Sequence, residues 1–121
     1  MYTKDEKAEI WLDSFRLDYN KKAQIYRLCA EPYALVRQFS QLRAKVNAVA
    51  GEEICSAMEK SLSSSEYMRS ILAKYNEKGI TCVAFSSALY PEDLRQISDP
   101  PLVLYCRGNA ELLQERKFAI V

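Results

Sequence analysis

The feature that most constrains this chain is a change of texture at Gly79. Before it, apolar side chains recur at helical spacing for almost 80 residues. After it, they come in short, partly β-branched runs. A period of 3.6 and a period of 2 call for different elements. The order therefore predicts a helical domain over residues 1–78 and the opening strands of an α/β domain over 79–121.

Within the first part, Thr3 and Glu6 have the spacing of a capping box. Ala8, Leu12, Phe15 and Tyr19 follow on one helical face. Asn20 is suited to cap a second helix carrying Ile25, Leu28 and Cys29. Pro32 suits the first turn of a third, with Leu35, Val36, Phe39 and Leu42 on one side. Ile54, Met58 and Leu62 mark a fourth. Ser63 and Glu66 repeat the capping-box spacing before Met68, Ile71, Leu72 and Tyr75. Gly79 is placed to end that last helix, because glycine tolerates the left-handed conformation beyond a helix C-terminus.

In the second part, Ile80 to Phe85 reads as a strand, and Leu102 to Tyr105 as another. Between them Tyr90-Pro91-Glu92-Asp93-Leu94 suits a short helical turn, with Tyr90 and Pro91 anchoring it against the sheet. Gly108-Asn109 turns the chain, and Asn109 can cap a short helix from Ala110 to Gln114. Lys117 to Val121 reads as a third strand. Its unbroken apolar run suits a central, parallel strand covered on both faces. Such a strand at the end of the sequence leads us to expect an N-terminal fragment of a longer protein.

Composition excludes several classes. The net charge is +1, so the chain is no polycation. Histidine is absent, which removes Ser-His and Cys-His nucleophile pairs and most catalytic zinc sites. Cys29, Cys55, Cys82 and Cys106 are spaced by 26, 27 and 24 residues with no CxxC pair, which reads as reduced thiols in a cytoplasmic protein. Neither a signal peptide nor a membrane span is apparent. No enzymatic activity, metal or cofactor is expected.

Charge is nevertheless uneven. Residues 16–45 hold seven basic and two acidic residues. Lys21, Lys22, Arg43 and Lys45 are the candidate nucleic-acid contacts. The same excess also fits the solvated faces of amphipathic helices. Trp11, Phe15 and Tyr19 could stack on bases, but Trp11 is better suited to fill a seam between helices.

The ordered series Gly79-Ile80, Tyr90-Pro91-Glu92-Asp93-Leu94, Asp99-Pro100-Pro101-Leu102-Val103-Leu104-Tyr105, Gly108-Asn109 and Ala119-Ile120-Val121 carries a resemblance. It resembles the entry into the Rossmann-like domain of the DNA-processing protein A (DprA/Smf) family. The helical segment has the length and place of that family's N-terminal SAM-like or helix-hairpin-helix-like domain. Many members carry a Gly-x-Gly hairpin between the first two helices. Here Leu17-Asp18-Tyr19-Asn20-Lys21-Lys22 stands there, without glycine. The resemblance implies a single-stranded DNA-binding protein of natural transformation that loads the RecA recombinase and self-associates. In that family a Gly-Ser-Arg turn after the Ala-Ile-Val strand supplies the main anion site, and Val121 precedes that position. Two other readings remain: a nucleotide-binding Rossmann-type enzyme, and a helical protein-interaction module.

Overall fold

The structure, a computed structural model, describes residues 2–107 and the backbone of residues 119–120. Six helices come first: α1 (Lys4–Asp13), α2 (Tyr19–Tyr26), α3 (Pro32–Arg37), α4 (Phe39–Ala50), α5 (Glu52–Ser61) and α6 (Glu66–Glu77). Then follow β1 (Ile80–Ala84), the single turn α7 (Glu92–Arg95), β2 (Val103–Arg107) and β3 (Ala119–Ile120).

The capping box at Thr3 forms as expected. The Thr3 hydroxyl accepts from the Glu6 N–H at 3.1 Å, and the Glu6 carboxylate accepts from the Thr3 N–H at 2.8 Å. Asp5 and Glu6 also lie at the positive end of the helix dipole. Asp5 extends its reach to α3, accepting from the Tyr33 N–H at 2.9 Å. Residues Ala8 to Leu12 are all buried, a full turn with no solvent face, so α1 is the central helix.

Several boundaries differ from the sequence reading. Tyr19 begins α2 rather than continuing α1, and Asp18, not Asn20, caps α2 by accepting from the Lys21 N–H at 2.8 Å. Ser14 Oγ donates back to the Trp11 carbonyl at 2.6 Å. Such short polar side chains compete for backbone groups and end helices early. The expected third helix is two, because Gln38 leaves helical geometry between α3 and α4. The capping box at Ser63 and Glu66 does not form. Ser63 donates to the Lys60 carbonyl at the end of α5, and Ser64 accepts from the Glu66 N–H. Two glycines among the described residues have positive φ: Gly51 (90°) joins α4 to α5, and Gly79 (68°) ends α6 as expected.

β1 and β2 pair antiparallel in the register Ile80↔Arg107 through Ala84↔Val103. β3 pairs antiparallel with β2, Cys106 opposite Ile120. This corrects the parallel strand expected from the terminal apolar run. A parallel neighbour needs a crossover of a dozen or more residues, usually a helix, whereas antiparallel pairing needs none. The turn at Gly108-Asn109 and the helix expected over 110–114 lie outside the described residues.

The β1–β2 pair is covered on both faces. Cys82, Ala84 and Val103 face Ile10 of α1 and Ile71, Leu72 and Tyr75 of α6. Val83, Leu104 and Cys106 pack on the other side against Tyr90. Tyr90 is indeed an anchor: it is 1% exposed, and its hydroxyl donates to the Pro101 carbonyl at 2.6 Å. The Tyr2 hydroxyl accepts from the Cys82 N–H at 3.1 Å. A third cluster fills the helical layer with Trp11, Leu12, Phe15, Ile25, Leu35, Phe39, Val46, Cys55 and Met58. Each large apolar side chain so buried contributes roughly 1.5–3 kcal/mol. Trp11 sits in this seam, its indole N–H donating to Ser61 Oγ at 2.7 Å.

Candidate functional site

The four sequence-nominated cations have different surroundings. Lys22 Nζ lies 2.9 Å from Asp13 Oδ1, with both side chains largely shielded. The Arg43 guanidinium is held by Glu52 at 2.9 Å and by Glu59 at 3.2 Å, and it also meets Ser56. Glu52 is gripped in turn by Asn47 and Ser56. The bonds from Arg43 first, and then Ser56, hold the Glu52 carboxyl at about 2, far below its ordinary value. Lys21 and Lys45 are exposed, and no ion pair among the described residues engages them. Lys21 and Lys22 belong to α2, Arg43 and Lys45 to α4.

A second arrangement escaped the sequence reading. Glu9 and Asp13, four residues apart, share one face of α1. Glu9 is fully buried. It accepts from the Tyr26 hydroxyl at 2.6 Å and from both the N–H and the hydroxyl of Ser86. Asp13 accepts from Lys22 and from the Tyr105 hydroxyl. Two relays thus run from α2 through α1 to the sheet region: Tyr26–Glu9–Ser86 and Lys22–Asp13–Tyr105. Burial, and then donation to a carboxylate, push both tyrosine hydroxyls well above their ordinary range. The acid-tyrosine pairing could not be found from spacing, because its partners are 17 to 92 residues apart.

Asp13, Lys22 and Tyr26 of these relays line a cleft of about 310 Å³. Tyr19, Lys22, Ala23, Tyr26 and Arg27 line it along one face of α2, and Phe85 and residues 100–102 form the opposite wall. The volume is at the lower end of the range for small-ligand sites, roughly 300–1,000 Å³. Tyr19 is 38% exposed, one of two large hydrophobic side chains left open to solvent among the described residues. Phe85 is braced by the Tyr90 ring at 5.1 Å and by the Arg95 guanidinium at 5.5 Å.

Cys55, Cys82 and Cys106 are buried free thiols and Cys29 is half-buried. Burial pushes the Cys82 thiol up to about 11, away from the reactive thiolate. Among the described residues no cluster of acidic, cysteine or histidine side chains is arranged to hold a metal. None of their helices is long and apolar enough to cross a membrane.

Comparison with known proteins bears on the second half of the chain. Residues 80–121 match the family model of DNA recombination-mediator protein A. Over 52 residues the chain is 46% identical to the DNA processing protein DprA of Bacillus subtilis (strain 168). The match to the Bacillus protein covers 42% of this chain and 18% of that relative. No solved structure matches. The family segment begins at β1 and takes in Phe85, Tyr90 and the Pro100-Pro101 approach to β2. One wall of the cleft therefore lies within the matched residues, and the α2 wall lies outside them.

Proposed function

We propose that this chain is the N-terminal part of a single-stranded DNA-binding recombination mediator. The carrying observation is the match of residues 80–121 to the recombination-mediator family. In this reading residues 1–78 are a SAM-like accessory module and residues 79–121 open a Rossmann-like domain. The protein acts in the cytoplasm on DNA taken up during transformation, loads RecA onto it and self-associates. Its work is binding and positioning rather than bond chemistry.

The residues of this chain supply a minor share of the affinity. Lys21 and Lys45 can each neutralise a phosphate without first breaking an ion pair. Lys22 and Arg43 would have to leave Asp13 and the Glu52–Glu59 clamp. With so few phosphates neutralised, binding by residues 1–121 alone is weak, and its salt dependence shallow.

The test uses the complete reading frame that contains residues 1–121. Fluorescence anisotropy with a labelled dT oligonucleotide should show tight, salt-sensitive binding. The protein should also speed RecA assembly on strands coated with single-stranded-DNA-binding protein. Absence of single-strand binding by the complete protein would overturn the reading.

A further inference from the structure

We propose that the cleft between α2 and the approach to β2 receives one unstacked base of single-stranded DNA, with the adjoining phosphate against Arg27. The inference rests on the DNA-binding reading above and adds a site to it.

The lining favours a flat, apolar group that carries negative charge. Tyr19, Tyr26 and Phe85 bring three aromatic rings to one small cleft. The Tyr26 hydroxyl is committed to Glu9, so its ring is what remains to offer. Base–aromatic stacking accepts any base, because every base has a π face. Pro100 and Pro101, whose φ angles are fixed, stiffen the opposite wall.

Charge favours the same occupant. The one acid in the lining, Asp13, is neutralised by Lys22 and satisfied by Tyr105. Arg27 is exposed, and no ion pair among the described residues engages it. The cleft edge is thus left with an uncompensated cation and no free acid to repel a phosphate. A duplex keeps its bases stacked inside, so only a single strand can present one to a cleft of this size. The two relays hold α2 at a set distance from Phe85, and the site is formed before the strand arrives.

The test again uses the complete reading frame. A dT oligonucleotide bearing 5-bromodeoxyuridine is photo-crosslinked to it, and the adducts are mapped by mass spectrometry. Adducts are expected on Tyr19, Tyr26 or Phe85. Tyr19→Ala should weaken dT binding roughly fivefold or more. Tyr19→Trp should restore it, and an abasic oligonucleotide should not distinguish the three proteins. Arg27→Ala should weaken binding of both oligonucleotides. If the complete protein binds dT but all adducts map elsewhere, or Tyr19→Ala weakens abasic and dT strands alike, the inference fails while the DNA reading stands. If the complete protein binds no single strand, both fail. Protection of Tyr19 from iodination by RecA, with no base adduct, would assign the cleft to a protein segment and also overturn it.

Discussion

On α2 the cation and the aromatic that face inward are used as fasteners, and those that face outward are left open. Lys22 and Tyr26 are tied to Asp13 and Glu9, in partly or fully shielded surroundings. Tyr19 and Arg27 remain exposed over a cleft. The α4–α5 hairpin does the reverse. Its Arg43 sits in the solvent-facing clamp of Glu52 and Glu59. Helices α2 and α4 each carry two basic residues and no acid of their own. What separates them is where the acids are: α1 supplies them to α2 from the inside, while α5 supplies them to α4 at the surface. A cation is available to a ligand only when no acid has already claimed it.

The comparison can be broken most sharply at Glu9. Glu9→Ala leaves the Tyr26 hydroxyl and the Ser86 groups without their acceptor inside the protein. Leaving buried donors unpaired should cost roughly 2–4 kcal/mol in urea unfolding. A loss below about 1 kcal/mol would show that the relay does not hold α2 in place.

Alkaline pH probes both relays together. Tyr26 and Tyr105 have pKa values raised above the ordinary 10.0, so the folded protein keeps protons that the unfolded chain gives up. Their stabilisation is complete below pH 10 and is lost as pH rises beyond it. The urea midpoint should fall between pH 9.5 and pH 11.5, about where the phenol of an unfolded chain titrates. The double variant Tyr26→Phe/Tyr105→Phe should flatten that fall. An equally steep fall in the double variant would place the effect elsewhere.

A smaller effect is expected at Asp13. Asp13→Asn keeps the shape and removes the charge that holds Lys22, for a loss of about 1 kcal/mol. The smallest effect belongs to the exposed clamp. Arg43→Met should lower the melting temperature only slightly at neutral pH, and less still in 1 M salt, where surface pairs are screened. The Glu52 carboxyl is held at about 2, so its contribution is present above its ordinary 4.5 and disappears as pH falls toward 2. An Arg43→Met loss as large as that of Glu9→Ala would erase the contrast between the two regions.

Much of the fold was legible because local chemistry carried it. The Thr3 cap, the glycine stop at Gly79, the Trp11 seam and the Tyr90 anchor each rest on residues close in sequence or on burial alone. The early end of α1 was not, since Asp18 and Asn20 are both good caps and only packing chooses between them. The direction of β3 was missed because an apolar run says that a strand is buried and not which way its neighbour runs. In the site, counting charge found the basic stretch but not its partners. Glu9 and Asp13 read as ordinary helix acids until Ser86 and Tyr105 arrive from far along the chain. Tyr19 was visible as an aromatic, yet Phe85 on the opposite wall lies 66 residues away.

The most direct test of the availability argument is the salt dependence of dT-oligonucleotide binding by the complete reading frame, compared for wild type, Arg27→Ala and Arg43→Ala. For single strands each lost phosphate contact reduces the slope of log K against log salt by about 0.7. The account predicts that reduction for Arg27→Ala and an unchanged slope for Arg43→Ala. A slope that falls with Arg43→Ala and holds with Arg27→Ala would contradict it.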